Sequence, residues 1–163
     1  MTRANTRAMQ SVPATEAAYI AGILDGEGCF TFTRSKLKTG WNYTPRVHVT
    51  NTKLVLLEWL VEKTGLGNIH PLRRKNPKYA PTWVWFVTVG GVRQLVPVVM
   101  PYLVLKIRQA EILLECAALT TPGGRPPAPE LIEAKRKLIA ELKSLNRKGA
   151  CDPENTASPH AAP

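Results

Sequence analysis

Residues 16–24 read EAAYIAGIL, apolar almost without interruption, and such a stretch forms a helix buried on most sides. Thr15 is the expected N-cap, with Glu16 in the first turn where a negative charge meets the positive helix end. Ala18, Gly22 and Gly26 recur at every fourth position and form a ridge without bulky side chains, where a second helix can approach closely. Each glycine weakens a helix by about 1 kcal/mol, which makes packing the more attractive reason for two of them. From Cys29 to Lys38 the period changes to two: Phe30 and Phe32 share one face, and Cys29, Thr31, Thr33 and Ser35 the other. After a Thr39-Gly40 turn, Trp41 to Thr50 alternates in the same way, Tyr43, Val47 and Val49 against Asn42, Thr44, Arg46 and His48. Leu54, Leu57, Leu60 and Val61 restore helical spacing over 51–64, and Gly65 suits the left-handed position that ends a helix. A third strand is expected over 67–74 and a fourth, rich in Trp and Val, over 82–89, broken by Gly90-Gly91. Helices follow over 92–100, interrupted or ended near Pro97 or Pro101, and over 103–119. TPGGRPPAP at 121–129 has the composition of a linker, and Pro129 opens a last amphipathic helix carrying Leu131, Ile132, Leu138, Ile139 and Leu142.

These elements add up to an α+β fold: an αββαββα core with a four-stranded antiparallel sheet packed on helices, plus C-terminal helices. The expected organisation is a flexible arm over 1–14, a core over 15–120, a linker over 121–128, a helix over 129–146 and a polar tail over 147–163. A hydrophobic fraction of 44% in 163 residues supports a single packed domain and excludes wholesale disorder. No apolar run approaches eighteen residues, so no membrane span and no membrane partner are expected. Cys29, Cys116 and Cys151 are too scattered for a disulfide framework or a CxxC zinc pattern, which points to a reducing, intracellular compartment.

Charge changes the picture more than composition does. The net charge is +10, yet residues 28–110 alone hold thirteen Lys or Arg and only two acids, Glu58 and Glu62, a balance of +11. A basic middle of this kind calls for a polyanion, nucleic acid first. The polar face of the strands (Thr31, Thr33, Ser35, Asn42, Thr44, Arg46 and His48, then Asn68 and His70) is the candidate surface for double-stranded DNA. A two-stranded ribbon fits the major groove, where Arg can read guanine and Asn adenine. Arg34, Lys36 and Lys38 near the first turn, and Arg73, Arg74, Lys75 and Lys78 near the second, suit phosphates. Trp83 and Trp85 share a face and are candidates for DNA contact or for the core. His48 and His70 have no Cys/His spacing that would make them a zinc pair.

Residues 20–28 read IAGILDGEG. This stretch resembles the LAGLIDADG homing endonuclease family, in which a buried helix packs on a symmetry mate and ends in two acids, separated by one residue and followed by glycine. VTNT at 49–52, GLG at 65–67 and PYLVLKIRQA at 101–110 extend the resemblance, as does the order of elements, over roughly residues 15–118. It implies a single-motif, homodimeric, Mg2+-dependent DNA endonuclease, with Mn2+ able to substitute. Such an enzyme cuts both strands of a long, near-palindromic site, leaves 3′ overhangs and promotes intron mobility. Glu27 occupies the family's metal-ligand position. Asp25 is expected mainly to anchor the helix ends, with direct metal binding as the lesser reading. Ala18, Ala21, Gly22, Asp25 and Gly26 would line the dimer interface. Lys106 falls where the family carries a basic residue near the scissile phosphate, and Asn51 where a polar residue orients solvent, although a helix N-cap explains Asn51 equally well. Lys53 is a further candidate for phosphate contact. Two alternatives stay open: an RNA maturase using the same basic surface on intron RNA, and a non-catalytic DNA-binding regulator of the same fold.

Overall fold

A computed structural model describes residues 8–37, 40–72, 80–120 and 129–147. In chain order the elements are α1 (Ala14–Gly26), β1 (Gly28–Leu37), β2 (Gly40–Asn51), α2 (Leu54–Thr64), β3 (Asn68–Leu72), β4 (Thr82–Val87), α3 (Val89–Val99), a 3-10 turn (Met100–Tyr102), α4 (Ile107–Ala118) and α5 (Pro129–Leu145). The four strands form one antiparallel sheet, as expected, and their order is β1-β2-β4-β3. Pro71 sits in β3, an edge strand of this sheet, where a missing N–H is tolerated. Pro45 is in β2, but beyond the stretch 47–51 that pairs with β4.

Pairing fixes which residues share a face. Phe30 lies opposite Val47, Val47 opposite Val87, Val49 opposite Trp85, and Trp85 opposite Ile69. These residues pack against Ile20, Leu24, Leu57, Leu95, Ile112 and Leu113 from the helices in one core. Trp85 is fully buried there, and its indole N–H donates to the Leu66 carbonyl at 3.0 Å. The ring leaves no room beside Gly67, where a β-carbon would lie 2.5 Å from Trp85 Nε1 and where φ is +82°. Only glycine meets both demands.

Several expected boundaries shift, each for a local reason. Thr15 lies inside α1; the residue before the helix is Pro13, which makes no side-chain cap bond. Glu16 instead forms an ion pair with Lys63 at 3.1 Å and ties α1 to α2. Helix α2 starts at Leu54, because the Asn51 side chain accepts the Lys53 N–H at 2.8 Å and holds the chain in a turn first. Gly90 and Gly91 open α3. At Gly91 a β-carbon would meet Val87 Cβ at 2.7 Å. Helix α4 begins at Ile107, since the N–H groups of Val104, Leu105 and Lys106 are bonded to Asp25. Helix α1 is buried along Ala17, Ile20, Ala21, Ile23 and Leu24 only; Ala18, Tyr19, Gly22 and Gly26 are exposed.

Helix α5 docks through Leu142 and Ile139, both buried. Arg108 of α4 donates to both oxygens of Glu141 at 2.6 and 3.0 Å, and Asn146 donates to the Phe30 carbonyl at 2.8 Å. The guanidinium holds the Glu141 carboxyl below the usual carboxylate range.

Candidate functional site

Asp25 and Glu27 leave the end of α1 in different states. Asp25 is fully engaged: one oxygen accepts Val104 N–H at 2.7 Å, the other accepts Leu105 and Lys106 N–H at 3.3 and 3.0 Å. It fastens the helix end to the segment that leads into α4. This is the anchoring role expected of Asp25, with both of its oxygens committed to backbone N–H groups. Glu27 is the residue that ends α1, its N–H bonded to the Ile23 carbonyl at 2.8 Å. Its side chain is exposed and makes no hydrogen bond or ion pair with any described residue.

Lys106 brackets the turn that carries Glu27. Its ammonium donates to the Leu24 carbonyl at 2.9 Å and to the Gly28 carbonyl at 2.7 Å. Burial pushes its pKa below the ordinary lysine value, opposed by Asp25, Cys29 and Glu27 in that order. Cys29, the next residue of β1, is pushed the other way by burial, with Lys106 opposing. The turn is tight enough that Gly28 admits no side chain: a β-carbon would lie 2.6 Å from the Leu24 carbonyl oxygen.

The face of the sheet turned away from the helices carries Thr31, Thr33, Ser35, Asn42, Thr44, Arg46, His48, Asn68 and His70, as the period of two predicts. It holds no carboxylate, because no strand contains Asp or Glu. The Arg46 guanidinium lies 3.9 Å above the ring of Phe86, on which His70 stacks from 5.3 Å. Burial lowers the pKa of His48, and the nearby Arg46 charge lowers it further. Thr50 continues the alternation of β2 onto this face; Phe86 and Val84 also belong to it and are not distinguishable in the sequence, where β4 is apolar at every position after Thr82. Only the register, which sets Phe86 beside His48 and Val84 beside Thr50, separates them from the tryptophans.

Of the two roles open to Trp83 and Trp85, the structure supports the core and not DNA contact: both face the helices, Trp85 inside the core and Trp83 packed against it. Arg34 and Lys36 are exposed but alternate onto the face of Phe30, where the helices no longer cover it, and Arg34 stacks on Trp41 at 4.0 Å. Asn51 and Lys53 meet in the turn before α2. Lys38, Arg73, Arg74, Lys75 and Lys78 lie outside the described residues.

On α1 the ridge of Ala18, Gly22 and Gly26 is open: a β-carbon at Gly22 or Gly26 would have nothing within 4 Å. Ala21 is corrected, since it points into the core. The ridge continues into apolar surface that the spacing of residues did not signal. Tyr19 packs edge-on against Trp59 of α2, and beside the Asp25 anchor Val104 is 77% and Leu105 59% exposed. Among the described residues no three His, Cys, Asp or Glu cluster to hold a metal ion. Of the two acids at the end of α1, Glu27 is the one whose carboxylate is free of described partners.

Residues 20–114 match the family described as LAGLIDADG endonuclease. No curated protein matches the chain in sequence. Among solved structures, the homing endonuclease I-CvuI in complex with its target in the presence of Ca is similar at TM-score 0.69 and 19% identity, over 83% of this chain and 85% of that one. The archaeal intron-encoded homing endonuclease I-Vdi141I complexed with DNA is similar at TM-score 0.70 and 22% identity, over 83% and 86%. I-SmaMI bound to uncleaved DNA with calcium ions is similar at TM-score 0.63 and 19% identity, over 77% of this chain but only 44% of that one.

Proposed function

The chain belongs to the LAGLIDADG endonuclease family, and from that premise we propose that it is a homodimeric, Mg2+-dependent homing endonuclease. It hydrolyses both strands of a long, near-palindromic DNA site, leaves 3′ overhangs and promotes intron mobility. The observation that carries this reading is the free, exposed carboxylate of Glu27, held on a rigid turn beside the basic sheet. Similar structures complexed with DNA, and one solved in the presence of Mg, support the substrate and the metal.

The donor chemistry fits a hard divalent ion, which takes oxygen ligands. Glu27 offers them without first breaking an internal contact. When bound, the ion would supply an activated water and stabilise the leaving oxygen; Mn2+ can replace it. The remaining work falls to the chain itself. Asp25 and Lys106 fix the turn, and the ammonium adds positive charge where phosphate would arrive. The open Ala18-Gly22-Gly26 ridge suits an isologous contact that brings a second Glu27 close, and two copies carry twice +10, about +20, toward DNA.

Cleavage of duplex DNA with Mg2+ tests the proposal. Glu27→Gln should abolish cutting and leave binding intact. Undiminished cutting by that variant would sink the ligand assignment, and binding to RNA alone would favour a maturase.

A further inference from the structure

The outer sheet face holds an arginine whose charge no described residue answers. Arg46 sits mid-strand in β2, opposite Thr31 of β1. Its guanidinium makes no ion pair or hydrogen bond with a described residue, and its Nε is buried without a partner. Beside it, His48 has a buried Nδ1 that is also unpartnered. The two terminal nitrogens of Arg46 are not buried and make no bond to a described residue, so they remain open to an external acceptor. The guanidinium rests on the Phe86 ring at 3.9 Å, and His70 stacks on the same ring, which favours this placement of the head group before any ligand arrives.

Resting on the DNA-cleaving reading above, we propose that Arg46 is the principal base-reading residue of each half-site and that it recognises a guanine. Guanine alone presents two adjacent acceptors, O6 and N7, in the major groove, matching the two terminal nitrogens of a guanidinium. A phosphate oxygen is the other acceptor chemistry available. Position argues for the base. Phosphates line the rims of a groove and suit the exposed Arg34 and Lys36, whereas Arg46 is central and rests on Phe86. His48 lies beside it on the same face, and burial and the Arg46 charge both lower its pKa. Thr31 lies three residues along β1 from Gly28, roughly 10 Å at about 3.3 Å per residue, or about three base-pair steps from the end that carries Glu27. The guanine therefore belongs in the inner part of each half-site, not at its outer end.

The test is selection of bound duplexes from a randomised library by the full-length protein, followed by binding titrations on the selected duplex at several salt concentrations. The expected result is one dominant G·C pair in the inner part of each half-site. Replacing it in one half should weaken binding roughly 5- to 150-fold. With Arg46→Ala that preference should vanish while other positions keep theirs. With Arg46→Lys the preference should also vanish, although the charge remains. The slope of log K against log salt should stay unchanged in Arg46→Lys. A preference that survives both substitutions overturns the proposal. So does a selected pair unaffected by Arg46→Ala together with a salt slope smaller by about one per subunit, which would mark a phosphate contact. A protein that selects no duplex at all overturns the DNA reading itself, and this inference with it.

Discussion

Gly28→Ala should damage this protein out of proportion to a single methyl group. A β-carbon there would stand 2.6 Å from the Leu24 carbonyl oxygen, 2.7 Å from Leu24 Cα and 2.9 Å from Leu24 Cδ2. Two of these are backbone atoms, so no rotamer change relieves the clash, and β1 must move away from the end of α1. Ordinary contact begins near 3.4 Å, which asks for a retreat of roughly 0.8 Å (3.4 less 2.6). The Lys106 ammonium bridges the same gap, at 2.9 Å to Leu24 and 2.7 Å to Gly28, and cannot keep both bonds across it. Overpacking costs about 1–3 kcal/mol and a charged hydrogen bond about 1.5–3, so a combined loss of about 2.5–6 kcal/mol is expected. For a chain of this length that lowers Tm by roughly 5–24 °C. Cleavage should fall further, on the order of 100-fold, because Glu27 is carried by the turn that opens. Thermal unfolding followed by circular dichroism and a plasmid-cutting assay read the two effects. A variant that melts and cuts like the parent would refute the clamp.

Gly22→Leu should leave the single chain intact, since its β-carbon meets nothing within 4 Å and leucine is the better helix former, yet sedimentation should show that the dimer is lost. Dimerisation of unchanged affinity in the Gly22→Leu variant would move the interface off the α1 ridge. Asp25→Ala should cost about 2–4 kcal/mol in urea unfolding, because three backbone N–H groups lose their acceptor, whereas Glu27→Gln should stay within about 0.5 kcal/mol. Equal losses would contradict the division of labour between the two acids. His48 is held below its ordinary pKa by burial, so between that lowered value and about 6.5 the unfolded chain binds a proton that the folded chain does not. Stability should therefore fall as pH drops through that window, and His48→Gln should flatten the dependence; an identical pH profile would show that another group sets it.

Much of this architecture was legible because hydrophobic period and turn chemistry agreed. The two strands from Cys29 to Thr50 alternate, and the structure keeps Thr31, Thr33, Ser35, Asn42, Thr44, Arg46 and His48 on one face, with Arg34 and Lys36 on the other. Legibility failed where alternation carried no information. Strand β4 reads TWVWFV, apolar on both faces, so nothing local says that Trp83 and Trp85 turn inward while Val84 and Phe86 turn outward. That depends on pairing with β2 and β3, and on the Leu66 carbonyl that takes the Trp85 indole. The extended segment before α4 was hidden for a related reason: its N–H groups bond to an acid some eighty residues earlier in the chain. Helix ends set by a distant partner leave no signature at their own positions.

The same distance explains how two acids in one motif divide their work. A carboxylate at the C-terminal end of a helix is disfavoured by the helix dipole, by about 0.3–1 kcal/mol. Asp25 escapes because three backbone N–H groups of another segment surround it. Glu27 does not; it stays exposed, offset only by the Lys106 ammonium, which is itself partly desolvated and pushed toward its neutral form. Neither cost serves the folding of one chain. Asp25 gives the rigidity and Glu27 keeps its oxygens uncommitted, and the first is what allows the second to be held in place. The single chain keeps one acid free, one lysine partly stripped of water and one glycine-lined helix face uncovered. A second copy, a cation and a polyanion would each relieve one of them, and the outer sheet face, basic and without a carboxylate, is where the last would lie.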